Sequence, residues 1–319
     1  MDEATPRVDP EFTAAAQLLQ SRGYVVPDRT TAPLSEVRAA QDRVGAFLGE
    51  GSAPLQRERD LSLPGPYGQV PCRLYLPDGA ARPPLIVYAH GGGFMQGSLN
   101  SWDAMLRALV RQSGVAALSV DYKLAPEHRF PKAFEEMTAV TRLVAREGSD
   151  FGIDPDRLAL GGDSAGANLA LGAAMALRDE GLRAVRFMLL IYGVFSTGSE
   201  SPSWRRFGRG TGLSQTQMRW IWETYLENPE QRQDRRAAPI LGKLQGLPPA
   251  YLVVGNLDPL LDDSRSLDRA LSAVGVPSTL EICDGLGHGF IRYGRLVARA
   301  RQALDECAAA LRTGMATAL

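Results

Sequence analysis

A serine hydroxyl is a weak nucleophile until a base takes its proton and a third group orients that base. Catalysis also needs donors placed where negative charge develops. The sequence holds residue types for each part. Ser164 is the centre of Gly162-Asp163-Ser164-Ala165-Gly166, which follows the strand-like run RLALG and precedes the helix-like run NLALGAAMALRD at 168–179. Gly-x-Ser-x-Gly between a strand and a helix reads as a nucleophile elbow. The turn is so tight that side chains at the two glycine positions would strike the neighbouring strand and helix. It holds the serine in a strained conformation and lifts its hydroxyl clear of the sheet. The helix that follows aims its positive end at charge developing on a substrate.

There are only three histidines from which to choose a base. His288 lies in Gly287-His288-Gly289-Phe290, just past the apolar run STLEICD. Asp258 lies in Asp258-Pro259-Leu260-Leu261, just past AYLVVG. Both fall at the C-terminal ends of strand-like runs, where open α/β sheets bind ligands. Asp262 and Asp263 are rival acids, but they open a helix-like segment where aspartate commonly caps or complements the dipole. Asp258 is therefore the expected partner that fixes the His288 tautomer and stabilises the imidazolium. The remaining part is His90-Gly91-Gly92-Gly93-Phe94, directly after the run PLIVYAH. Three glycines let backbone N–H groups approach a substrate oxygen closely, and the amide of Ala165 joins them. His90 is expected to orient this loop rather than to act as base. His128, within 121–131, reads as a partly exposed turn residue.

These residues need a frame. From about residue 70, short apolar runs (70–77, 84–90, 115–122, 157–164, 187–192, 250–255 and 278–284) alternate with helix-like segments (99–113, 132–147, 165–180, 262–274 and 291–312). That rhythm predicts βαβ units and a mostly parallel sheet covered on both faces. Two regions break it. Residues 1–55 look helical and carry no strand, and 196–240 form a long insertion holding Trp204, Trp220 and Trp222. Connections of that length are commonly functional. The expected organisation is an N-terminal cap segment over 1–55 and a catalytic domain over 56–319, with a second cap piece at about 196–240.

The 319 residues are 45% hydrophobic and 22% charged with a net charge of −1, which suits a soluble globular protein. No overall field favours nucleic acid or an anionic membrane. Cys72, Cys283 and Cys307 form neither a zinc pattern nor a redox pair and read as core residues. The N-terminal residues lack the basic and apolar regions of a signal peptide, and no apolar run approaches the ~20 residues of a membrane span. A cytoplasmic protein is expected. No histidine or carboxylate set has metal-ligand spacing, and neither glycine cluster makes a nucleotide-binding motif. No metal and no cofactor are expected.

HGGGF, DYKLAPEHRFP, GDSAGANLA, DPLLDD and GHGF occur in one order from about residue 60 onward. In this the chain resembles the hormone-sensitive-lipase family of α/β-hydrolases, and within it the bacterial acetyl esterases. Ala167 and Lys123 stand where many relatives have glycine and arginine. The resemblance implies an α/β-hydrolase fold with a helical cap, a Ser164–Asp258–His288 triad, and oxyanion donors from Gly92, Gly93 and Ala165. It implies a cap built from the N-terminal helices and an insertion after the sixth strand. It also implies cofactor-free hydrolysis of short acyl esters, acetyl to about hexanoyl, through an acyl-enzyme. The partners would be a small ester and water, in a monomer or homodimer. Phe94, Trp204, Trp220, Trp222 and Tyr225 are candidates to line the pocket, with core packing as the competing role. The same machinery would serve amide, lactone or carbamate hydrolysis. A silent receptor on this fold would be expected to lack a triad member, and here His288 is present.

Overall fold

The computed structural model describes residues 7–209 and 212–316. Its centre is an eight-stranded sheet of order β1-β2-β4-β3-β5-β6-β7-β8. Strands β3 (Leu85–Ala89), β4 (Ala116–Val120), β5 (Leu158–Asp163), β6 (Val185–Ile191), β7 (Ala250–Gly255) and β8 (Ser278–Cys283) run parallel. Every residue of β3, β4 and β5 is buried, which explains why these strands read as continuous apolar runs. Their side chains alternate between two cores. Val87, Leu118 and Leu160 pack with α4 (Lys132–Glu147) and α5 (Ala165–Asp179) on one face. Ile86, Ala117 and Ala159 pack with α3 (Leu99–Ser113) and α9 (Ala298–Ala316) on the other. The three cysteines are buried and unpaired.

Two element boundaries differ from the sequence reading. Strand β1 (Arg57–Gly65) pairs antiparallel with β2 (Gly68–Leu76) and forms the sheet edge. Its RERDLS start is charged and largely exposed, so it carries no apolar run by which to find it; charge on an edge strand also discourages further pairing. The final helix begins at Ala298, because residues 290–293 form a 3₁₀ turn instead.

The N-terminal segment supplies α1 (Pro10–Ser21) and α2 (Leu34–Leu48). Arg38 of α2 donates to Met95 O at 2.8 Å and Ala125 O at 3.0 Å, and pairs in bidentate fashion with Glu127. One side chain thus ties α2 to both the glycine loop and the DYKLAPEHRFP segment. The long connection after β6 holds α6 (Pro202–Phe207) and α7 (Gln215–Tyr225). It is anchored to α8 (Leu261–Ala273) by Ser203 N donating to Asp262 at 2.8 Å. Residues 1–6 and 210–211, which belong to the two expected cap pieces, lie outside the described residues. Among the described residues no helix is long and apolar enough to cross a membrane.

Candidate active site

Ser164 directly follows β5 and caps α5 with φ +53° and ψ −116°. A positive φ is uncommon for a residue other than glycine, and its cost here is local strain. The neighbours explain the glycines. A Cβ on Gly166 would stand 1.9 Å from Ala89 O, and one on Gly162 would stand 2.4 Å from the Gly166 backbone. Ser164 N donates to Ile191 O at 2.9 Å, fastening the turn to β6.

Asp258 and His288 arrive on the loops after β7 and β8, and those loops are knitted together. Asn256 N donates to Cys283 O at 3.0 Å and Leu257 N to Leu286 O at 3.1 Å. Gly285 N donates to Asn256 Oδ1 at 2.9 Å. The result is a straight relay: His288 Nδ1 lies 2.8 Å from Asp258 Oδ2, and His288 Nε2 lies 3.0 Å from Ser164 Oγ. Asp258 is fully buried and its other oxygen accepts Leu260 N at 2.8 Å. The His288 side chain is 16% exposed. Tyr192 packs edge-on against the imidazole at 4.9 Å. A proton on Ser164 Oγ therefore has an acceptor, and the charge that acceptor would gain has a buried carboxylate behind it. The rival acids are engaged elsewhere. Asp262 accepts Ser203 N, and Asp263 Oδ1 accepts Phe195 N, Ser196 N and Ser196 Oγ at 2.9–3.1 Å. Burial pushes the Asp263 carboxyl up to about 7, against the lowering effect of those donors.

The glycine loop faces the same place. Gly92 and Gly93 have φ of +119° and +63°, and a Cβ on Gly92 would sit 2.0 Å from Gln96 O. Among the described residues the amides of Gly92 and Gly93 donate no hydrogen bond. The Ala165 amide belongs to the first turn of α5, where N–H groups have no intrahelical acceptor. His90 is buried, its Nδ1 lies 2.7 Å from Gly91 O, and its ring stacks on Tyr122 and Trp102. Tyr122 OH donates to His90 O at 2.8 Å, so the 121–131 segment braces the loop from beneath. His128 is a half-buried turn residue.

A cavity of about 640 Å³ opens over Ser164 and His288. Phe94 lines it as expected, but Trp204, Trp220, Trp222 and Tyr225 do not. Trp204, Trp222 and Tyr225 are fully buried, and Tyr225 stacks behind Phe94 at 3.9 Å. Trp220 is half-buried against the same core. Helix α7 instead presents Gln217, Met218 and Ile221 to the cavity, one turn of its inward stripe. The N-terminal segment contributes Leu19, Tyr24, Val26 and Arg29, and the turn after His288 contributes Arg292. No motif marked these residues. Arginine on a predominantly polar terminal segment reads as solvated surface, and Arg292 falls where a helix was expected.

Comparison with known proteins places the chain by fold and family. A family model described as the alpha/beta hydrolase fold matches residues 86–292. The chain is 37% identical over 260 residues to the carboxylic ester hydrolase LipN of Mycobacterium tuberculosis, covering 79% of this chain and 69% of that protein. It is 35% identical over 258 residues to an acetyl esterase of Salmonella dublin, covering 80% and 79%. A hyperthermophilic esterase from Pyrobaculum calidifontis superposes with a TM-score of 0.91 at 32% identity, covering 96% of this chain and 98% of the other. The chain belongs to the α/β-hydrolase family. Within it, the chain stands with the carboxylic ester hydrolases of the hormone-sensitive-lipase type that its motifs resemble.

Proposed function

We propose that the protein hydrolyses short-chain acyl esters, acetyl to about hexanoyl, through an acyl-enzyme on Ser164. His288 Nε2 takes the Ser164 proton while Oγ bonds to the ester carbonyl carbon. The oxyanion is held by the N–H groups of Gly92, Gly93 and Ala165. Collapse breaks the bond to the alcohol, which leaves with the proton from His288. His288 then deprotonates water, which attacks the acyl carbon and releases the acid and Ser164. Asp258 holds the imidazole with Nδ1–H toward itself throughout. The observation that carries this reading is the pair of contacts at 2.8 and 3.0 Å linking Asp258, His288 and Ser164.

The cap belongs to the same proposal. Residues of 7–55 and of 196–240 meet on the wall of one cavity, so the two segments together roof the nucleophile and limit the acyl chain. A site of about 640 Å³ is within the ordinary range for a small-molecule pocket. The test is hydrolysis of p-nitrophenyl acetate, butyrate, octanoate and laurate by wild type and Ser164→Ala. Turnover should peak at the short esters and vanish in the variant. Unchanged turnover in Ser164→Ala would overturn the nucleophile assignment, and a rate rising steadily to laurate would overturn the short-chain assignment.

A further inference from the structure

The cavity carries two guanidinium groups that ester hydrolysis does not require. Arg29 reaches in from the N-terminal segment, and its Nη1 lies 3.2 Å from where a Cβ on Gly93 would be. It therefore flanks the loop whose amides face the scissile carbonyl. Among the described residues Arg29 makes no hydrogen bond and no ion pair. The adjacent Asp28 accepts the Thr30 amide and hydroxyl through Oδ1, each at 2.9 Å, and its charge acts on Arg29 from a distance without forming an ion pair with it. Arg292 enters the same cavity four residues after His288, with its guanidinium 4.3 Å over the Trp102 ring. Its Nη2 is buried without a hydrogen-bond partner, 3.1 Å from where a Cβ on Gly45 of α2 would be, so it is the charge of Arg292 rather than this atom that acts on the cavity. Two carboxylates act on Arg292 from a distance, and both have other partners: Asp163 accepts Tyr88 OH, Gly91 N and Tyr192 OH, and Asp42 accepts the Ser98 hydroxyl.

Both arginines are half-buried, and the part of a guanidinium that loses water without gaining a partner is costly; burial pulls both below their ordinary pKa. Arginine does not escape by deprotonating. Its planar fork matches a carboxylate in bidentate geometry, the strongest of the ordinary charge-assisted contacts. A neutral acetyl or butyryl ester leaves the Arg29 fork unused.

We propose that the preferred substrates are esters bearing a free carboxylate, held by Arg29, with Arg292 adding a second positive charge to the cavity. The inference rests on the ester-hydrolase reading and specifies its substrate class. The carboxylate can sit on the acyl or the alcohol side, and two substrate pairs separate these. Monoethyl succinate against ethyl valerate, followed by ethanol release, tests the acyl side. Para-acetoxybenzoate against para-acetoxybenzamide, followed by acetate release, tests the alcohol side.

In wild type, kcat/KM for the anionic member of at least one pair should exceed that of its neutral match by about tenfold or more. Added salt should erode that preference. Arg29→Gln should collapse the ratio about tenfold, mainly through KM, and Arg29→Lys should restore part of it. Because the readout is a ratio within each variant, a general disturbance of the Gly93 loop cancels. A ratio at or below one for both pairs in wild type overturns the proposal, as does a ratio unchanged by Arg29→Gln. Absence of p-nitrophenyl acetate hydrolysis by wild type would instead overturn the underlying esterase reading.

Discussion

Asp163 Oδ1 accepts the Gly91 amide at 2.8 Å, so the residue before the nucleophile holds the first glycine of the loop that faces it. Asp163 ends β5, and Gly91 lies two residues beyond the end of its parallel neighbour β3, where Gly162 stands opposite Ala89. The contact is tight from both sides: a Cβ on Gly91 would stand 2.4 Å from Asp163 Oδ2. Burial raises the Asp163 carboxyl pKa, and the Tyr88 hydroxyl, the Arg292 charge and the Gly91 amide oppose that rise. The spacing between Ser164 and the amides of Gly92 and Gly93 is thus set by a buried polar cluster rather than by loop stiffness alone.

Asp163→Ala removes the acceptor shared by Tyr88, Gly91 and Tyr192 and leaves buried donors unsatisfied, each costing about 1–3 kcal/mol. The expected outcome is a lower melting temperature and a kcat lower by about 10- to 100-fold, as for a small misplacement of catalytic groups. KM should change far less. Asp163→Asn keeps an acceptor oxygen and should recover most of kcat. Steady-state kinetics of both variants on p-nitrophenyl acetate decide the matter; an alanine variant with wild-type kcat would show that Asp163 has no positioning role.

Gly92 offers a sharper probe of the loop. At φ +119° an alanine methyl would be driven into Gln96 O, 2.0 Å away, so the loop must move and its amides with it. Gly92→Ala should lower kcat by about 100-fold or more, the scale of losing an oxyanion donor, with an unchanged far-ultraviolet CD spectrum. Gly181 has φ +82° and open space around it. Gly181→Ala should cost about 1 kcal/mol of stability and no activity. Equal effects of the two substitutions on kcat would refute the loop argument.

What the sequence made legible follows from where the physics is local. Gly162, Ser164 and Gly166 are readable because one tight turn dictates all three residue types, and α3 and α4 because their apolar period spans whole helices. Asp258 and His288 are readable because parallel strands deliver residues that follow them to one edge. Strand β1 is not, since an exposed edge carries no burial pattern. The cavity wall is not either: Trp204, Trp222 and Tyr225 look like pocket aromatics, yet α6 buries Trp204, and α7 turns Trp222 and Tyr225 to the core while giving Met218 and Ile221 to the cavity. Arg29 reaches Gly93 only through the tertiary path of the N-terminal segment, which no local pattern encodes.

The acid assignment separates three aspartates that sit within six positions of one another. Asp258 Oδ2 meets His288, whereas Asp262 holds Ser203 N and so secures α6. Asp258→Asn should lower kcat by about 10³- to 10⁴-fold, because the amide favours the wrong imidazole tautomer. Asp262→Asn should leave kcat within about threefold and lower the melting temperature slightly, because the amide oxygen can still accept Ser203 N and the loss is the exposed pairing with Arg265. The comparison requires only kcat and thermal melts of the two variants, and a larger kcat loss in Asp262→Asn would reassign the acid.

Asp263 gives a pH signature distinct from the chemistry. Its carboxyl is raised from the ordinary 3.8 to about 7, first by burial, with the Ser196 and Phe195 donors pulling the other way. A carboxyl raised by folding stabilises the fold in its protonated form. That contribution is complete below about pH 4 and is lost as pH rises through about 7. Asp263→Asn cannot titrate, and its side-chain oxygen can still accept all three donors that now converge on Oδ1. The melting temperature of wild type minus that of Asp263→Asn should therefore fall between pH 5 and pH 8. A shift of this size corresponds to a few kcal/mol, or about 4–8 °C for a chain of this length. Many other carboxylates, Glu127 beside Arg38 among them, are lowered and tilt the stability of both proteins the opposite way, so only the difference isolates Asp263. A difference that stays flat from pH 5 to pH 8 would show that Asp263 ionises as readily in the fold as in water.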